Sequence, residues 1–185
     1  MVKLLGISGS LRRASYNSSL LRAATRLMPP EATLEVAGIR DIPLYDGDVE
    51  AQGIPAAVTQ LKEAVVAAAG VLLVTPEYNN SIPGVFKNAI DWLSRPSSDI
   101  KRVFGGRPFA VIGASPGGFG TTLSQAAWLP VLRTLGAQFW AGGRLQVARA
   151  GSVFDDAGNL KDAEIEERVK QFLAGYVAFV RRATA

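Results

Sequence analysis

Two stretches of the chain carry apolar residues at nearly every position for the length of a strand: Val71-Leu72-Leu73-Val74 and Phe109 to Gly113. A strand that is apolar on both faces belongs inside a parallel sheet covered by helices on both sides. Leu4, Leu5 and Ile7 form a similar run in which Gly6 leaves room for close packing. Thr33 to Ile39 alternates weakly, and Gln138 to Val147 reads as a last strand broken by Gly142-Gly143. Between these runs the period changes to that of a helix. Ser18 to Met28 aligns Leu20, Leu21, Ala24 and Leu27 on one face and stops at Pro29-Pro30. Further helices are predicted over Ile54 to Ala69, Pro83 or Gly84 to Leu93, Thr121 to Leu135 with an interruption near Pro130, and Asp162 to Arg182. The last has acidic residues in its first turn and Arg181 and Arg182 at its end, which suits the helix dipole. The segment from Arg40 to Gly53 reads as a loop.

Five strands alternating with five helices predict an α/β fold, one doubly wound parallel sheet in a three-layer sandwich. The whole chain, residues 1–185, is expected to form one domain. For the flavodoxin-like strand order 2-1-3-4-5, ligands bind above the carboxyl ends of the strands, where the order reverses between the first strand and the third. The loops after strands one, three and four are therefore where chemistry is expected.

The loop after the first strand runs Ser8-Gly9-Ser10-Leu11-Arg12-Arg13-Ala14-Ser15-Tyr16-Asn17-Ser18 and leads into a helix. A helix that starts at a strand's carboxyl end aims unpaired N–H groups and a positive dipole end at whatever sits above the sheet. Ser10, Arg12, Ser15 and Asn17 add hydroxyls, a guanidinium and an amide. The loop lacks the Gly-Lys-Ser/Thr ending of a Walker loop and the G-x-G-x-x-G spacing of a dinucleotide fold. Two readings stand: a phosphate cradle, or an ordinary helix start capped by Ser or Asn with a solvated arginine pair.

Composition narrows the chemistry more than it identifies it. The 185 residues include no cysteine and no histidine, which excludes disulfides, thiolate nucleophiles, iron–sulfur ligation, Cys/His zinc sites and histidine-based acid–base catalysis. Carboxylates, hydroxyls, backbone groups or a borrowed cofactor must do the work. The net charge of +4 is spread along the chain with no basic block interleaved with aromatics, so no nucleic-acid partner is expected. No apolar run reaches membrane length, and a cytoplasmic location away from membranes is expected.

After the third strand comes Thr75-Pro76-Glu77-Tyr78-Asn79-Asn80-Ser81-Ile82-Pro83-Gly84. Backbone N–H groups from Glu77 to Asn79 suit a heteroaromatic ring edge, and Pro76 and Tyr78 offer flat apolar surface; a rigid Pro-framed turn explains the same residues without a ligand. After the fourth strand, Ser115-Pro116-Gly117-Gly118-Phe119-Gly120 is a glycine-rich turn that a flat ligand can approach closely.

Together these three loops resemble the NADPH-dependent FMN reductase family of flavodoxin-like proteins, which includes quinone, chromate and azo-dye reductases. The resemblance rests on Gly9-Ser10-Leu11-Arg12 with Ser15 and Asn17, on Pro76-Glu77-Tyr78-Asn79 with Ser81, Pro83-Gly84 and Lys87-Asn88-Ala89-Ile90-Asp91-Trp92, and on Ser115 with Gly117-Gly118. It implies FMN as cofactor and NADPH or NADH as co-substrate. It gives Ser10, Arg12, Ser15 and Asn17 the FMN phosphate, Pro76, Glu77, Tyr78 and Asn79 the isoalloxazine ring, and Ser115, Gly117 and Gly118 the ring's other side. Tyr78 and Asn79 would orient ring and substrate, with no residue acting as acid or base. The implied acceptor is a small molecule (quinone, chromate, azo compound or free flavin), reached by a ping-pong hydride transfer through flavin N5. A homodimer or homotetramer is implied too, with Trp92 and Trp128 on apolar helix faces, and the Lys87 to Trp92 stretch is expected to be structural, with Asp91 and Trp92 available to a subunit interface. The competing readings are a flavodoxin-type electron carrier without NAD(P)H turnover, a flavin-sensing module, and a reductase that holds FMN only as a substrate.

Overall fold

In the computed structural model, which describes residues 1–184 and leaves position 185 of the expected domain outside, the apolar runs lie side by side. β1 (Val2–Ser8), β2 (Ala32–Ala37), β3 (Gly70–Val74), β4 (Pro108–Ala114) and β5 (Gln138–Phe139) form a parallel sheet in the order β2-β1-β3-β4-β5. This is the predicted flavodoxin-like order, with β1 paired on one side to β2 and on the other to β3.

Every residue of β3 and β4 is buried, because the sheet is covered on both faces. Leu4, Leu72, Val74, Ala110 and Ile112 pack toward α1 (Tyr16–Arg26) and α8 (Ala163–Ala183). Leu5, Ile7, Leu73, Phe109 and Val111 point the other way, under α3 (Ala56–Ala67), α4 (Gly84–Leu93) and α6 (Thr122–Thr134). The period-2 alternation of a strand thus feeds two cores. At the amino ends of the strands the buried Tyr176 phenol is shared between the carbonyls of Val71 and Pro108, 2.9 Å from each. Burial pushes its pKa well up, so it remains a donor.

Four expectations change. The last strand is two two-residue pieces, β5 and β6 (Gln146–Val147), which pair with opposite ends of β4, at Pro108 and Phe109 and at Gly113 and Ala114. The chain between them leaves the sheet at the glycine pair. Helix α6 is not interrupted at Pro130. The proline removes one N–H, but it and Ala126, whose carbonyl loses that partner, lie on the solvent side, where water replaces the bond. The Arg40 to Gly53 loop contains the short helix α2 (Gly47–Ala51), and α5 (Ile100–Val103) and α7 (Ala150–Val153) are further single turns.

The fourth concerns the subunit interface expected of Trp92 and Trp128, and leaves the structural reading of Lys87 to Trp92 standing. Trp92 and Trp128 are fully buried within the chain and leave no surface for a partner subunit. The Trp92 indole N–H and the Asn88 amide both donate to the Pro43 carbonyl, at 2.9 and 2.8 Å, and the Tyr45 N–H donates to Asn88. The segment therefore holds the long loop onto α4. Glu50, from the same loop, accepts from Arg95 Nε and from the Tyr45 hydroxyl. The arginine holds the Glu50 carboxyl below its usual range.

Candidate functional site

The first loop owes its path to Gly9. Its N–H donates to the Val74 carbonyl at the end of β3, and a Cβ there would stand 2.1 Å from the Phe86 ring. Only glycine lets the chain leave β1 this close to α4. Beyond it, the Ser10 hydroxyl accepts from the Arg12 N–H at 3.3 Å, and Ser15 caps α1, accepting from the Ser18 N–H. The helix thus begins two residues before the predicted Ser18. Its first turn holds no acidic residue, and the N–H groups of Tyr16 and Asn17 are spare donors at its positive end. Arg12 is exposed and has no carboxylate partner among the described residues.

Asn17 does something the sequence did not announce. Its side chain is buried, and its amide both donates to the Ala114 carbonyl and accepts from the Ala114 N–H, each at 2.8 Å. One side chain from α1 thereby completes the end of β4, as a neighbouring strand would. Only the Asn17 backbone N–H is left to face a ligand.

The second loop is a tight turn. Tyr78 and Ser81 exchange both backbone hydrogen bonds, at 3.1 and 3.0 Å, with Asn79 and Asn80 between them at φ 49° and 62°. Two successive left-handed residues are the mark of a type I′ turn, which asparagine tolerates better than most residues. The Tyr78 N–H is therefore consumed by Ser81 and is not the ring-edge donor expected of it; the N–H groups of Glu77 and Asn79 carry no backbone partner. The Tyr78 ring is 46% exposed, an apolar face presented to solvent. The Glu77 carboxylate reaches α6, where the N–H groups of Leu123 and Ser124 donate to it.

The third loop begins where β6 ends its pairing with β4. The Ser115 N–H donates to Val147, and the Ala150 N–H to Ser115. Pro116 to Phe119 are exposed, and nothing lies within 4 Å of where a Cβ on Gly117 or Gly118 would stand. The loop closes against Gly113, where a Cβ would meet Thr121 Oγ1 at 2.1 Å and the Thr75 carbonyl at 2.2 Å.

These loops line a shallow open cleft at the carboxyl ends of β1, β3 and β4. Of the predicted residues, Ser10, Arg12, Ser15, Asn17, Pro76, Glu77, Tyr78 and Ser115 line it together, while Asn79, Gly117 and Gly118 lie outside its lining. Tyr16, Ala114 and Pro116 also line it and were not singled out. Tyr16 stacks on Phe154, with centroids 6.0 Å apart; as the first residue of an amphipathic helix it carries no local signal of a ligand role.

One end of the cleft offers a helix N-terminus, two hydroxyls and an unpaired guanidinium, with no free carboxylate. The other offers proline and tyrosine surfaces beside backbone donors. A phosphate at the first end and a flat polar ring at the second fit these residues.

Residues 2–151 match the NADPH-dependent FMN reductase family. The chain belongs to that family. It is 44% identical over 181 residues to an NAD(P)H-dependent FMN reductase of Pseudomonas aeruginosa, covering 98% of this chain and 96% of that one. With a 2-hydroxy-1,4-benzoquinone reductase of a Burkholderia species the identity is 35% over 180 residues, 97% of each chain. Among solved structures, FerB of Paracoccus denitrificans, a flavoenzyme NAD(P)H:(acceptor) oxidoreductase, superposes with a TM-score of 0.89 at 30% identity and covers 99% of both chains. The chain is an FMN-dependent oxidoreductase that uses NAD(P)H. No helix among the described residues is long and apolar enough to cross a membrane, and no group of acidic side chains there is arranged to hold a metal ion.

Proposed function

We propose that this cleft binds FMN and passes a hydride from NAD(P)H to a small acceptor, with a quinone as the first expectation and chromate, azo compounds and free flavin as further ones. The observation that carries this reading is the polarity of the cleft, an unpaired Arg12 and the open start of α1 at one end and the half-exposed Tyr78 at the other. Arg12 and the hydroxyls of Ser10 and Ser15 meet the phosphate, joined by the Asn17 N–H rather than its amide. Pro76 and Tyr78 flank the ring, the N–H groups of Glu77 and Asn79 face its polar edge, and Ser115, Gly117 and Gly118 border its far side.

FMN, when bound, supplies the hydride-accepting and hydride-donating centre. The protein orients and shields. Hydride transfer through the flavin calls for no side-chain acid or base, and Tyr78 and Asn79 steer whatever approaches the open side. NAD(P)H and acceptor occupy the open side beside Tyr78 in turn, which is the ping-pong order. The openness also favours acceptors of several shapes.

The test is the absorbance of the purified protein with FMN, then with anaerobic NADPH or NADH, then with a quinone. A bound-flavin spectrum that bleaches with a nicotinamide and returns with quinone is expected. Flavin that binds yet never bleaches would favour an electron carrier instead. Arg12→Ala is expected to weaken FMN about 10- to 100-fold, the loss of one charge-assisted phosphate contact. Equal affinity in the two proteins, measured by fluorescence titration, would remove Arg12 from the phosphate site.

The proposal includes a homodimer or homotetramer. With both tryptophans buried, the surface for it is sought at Leu44 and Phe119, which are 79% and 77% exposed, large for isolated apolar side chains. Sedimentation velocity at micromolar concentration should show more than a monomer, and Phe119→Asp or Leu44→Asp should reduce it; a monomer throughout would end this part of the proposal.

A further inference from the structure

Helix α6 has no cap of its own. Thr121, the residue before it, stands at φ 67°, and its hydroxyl accepts from the Gln125 side chain instead of from the helix start. The N–H groups of Leu123 and Ser124 find their acceptor 46 and 47 residues away, in a single oxygen of Glu77, at 2.8 and 3.0 Å. Behind that contact Thr75 and Ser124 share a hydrogen bond of 2.8 Å, and the Trp128 indole N–H donates to the same Thr75 hydroxyl at 3.1 Å. Thr75, Ser124 and Trp128 are fully buried. The end of β3 and the first turns of α6 are therefore one body, and the third loop hangs from it.

We propose that Glu77 is a positioning residue, acting as a cap in trans. By holding α6 against the second loop, its carboxylate sets how far Ser115 and Pro116 of the third loop stand from Pro76 and Tyr78, so the cleft has its width before any ligand enters. The carboxylate itself does not act on the ring. Two N–H groups at the start of α6 engage it, so the loop carries an acid whose oxygen is already committed to the protein. The requirement is for an acceptor oxygen at this place, and a neutral amide supplies one. The link to ligand binding rests on the FMN reading above; the capping itself does not.

Three proteins separate the possibilities: wild type, Glu77→Ala and Glu77→Gln, each followed by amide hydrogen exchange without added flavin and by FMN titration. In Glu77→Ala the Leu123 and Ser124 amides are expected to exchange about 10-fold faster, in line with the loss of a helix cap, and FMN to bind about 10-fold more weakly. Glu77→Gln should restore both to within about threefold, because its amide oxygen accepts the same two bonds. The proposal fails if Glu77→Ala keeps both amides protected and FMN affinity unchanged. It fails equally if Glu77→Gln binds FMN as poorly as Glu77→Ala while its amides stay protected, since the charge would then act on the ligand directly. A wild type that binds no FMN sinks the proposed function and with it the ligand half of this inference. Slow amide exchange abolished by Glu77→Ala alone would still carry the cap. Should Glu77→Ala fail to fold, the Gln variant decides the question by itself.

Discussion

Gly113→Ala is expected to destabilise the protein by about 3 kcal/mol or more and to abolish FMN binding in whatever remains folded. The added methyl would stand 2.1 Å from the Thr121 hydroxyl and 2.2 Å from the Thr75 carbonyl. Overpacking a tight site ordinarily costs about 1–3 kcal/mol, and the upper end or beyond applies when backbone has to move. Here the backbone belongs to Thr75, which leads directly into Pro76 and Glu77, while Thr121 leads into α6. Pushing them apart widens the cleft and breaks the hydrogen bonds between Thr75, Ser124 and Trp128. Urea unfolding with FMN titration measures both effects. Gly38→Ala is the control, since nothing lies within 4 Å of the methyl it would add. A Gly113→Ala protein as stable as the control would show that the loops yield far more easily than their packing implies.

Asn17→Ala is the second large effect. The amide it removes is bonded to both backbone groups of Ala114, at 2.8 Å each, in a buried position. Deleting it leaves one donor and one acceptor without partners, and an unsatisfied buried group costs about 1–3 kcal/mol. Water entering the space left behind recovers part of this, so a net loss of about 2–4 kcal/mol is expected. Asn17→Asp should be no better near neutral pH, because a carboxylate would face the Ala114 carbonyl. FMN affinity should fall in both variants, since the amide is the tie between the first loop and the root of the third. Thermal unfolding and FMN titration of the pair provide the check. Unchanged stability in Asn17→Ala would mean that Ala114 finds other partners readily.

Both predictions concern residues visible in the sequence whose tasks were not. In sequence, Asn17 and Glu77 look like ligand contacts; in the fold their side chains bond to backbone 97 and 46 residues further along the chain. Trp92 shows the same thing, since its position on a helix predicts an apolar face and says nothing of the Pro43 carbonyl that its N–H meets. Pro130 predicts a break because proline is costly inside a helix, but the cost depends on whether the orphaned carbonyl reaches water, a property of the folded surface.

The architecture is legible in the apolar pattern of the chain alone. Val71 to Val74 and Phe109 to Gly113 are apolar on both faces and can be satisfied only between two helical layers. The alternation of strand and helix periods then leads to a doubly wound parallel sheet and puts three polar loops at its carboxyl edge. These are local properties, repeated every two or every 3.6 residues, and a linear reading records them directly. What each polar side chain in those loops does depends instead on contacts that only folding creates. A buried hydrogen-bonding group takes the partner that folding brings within about 3 Å, and at this site that partner belongs to a distant element, β4 for Asn17 and α6 for Glu77. Asn17 and Glu77 are thereby committed to joining the loops, while Arg12 and the first N–H groups of α1 are left open to an anion.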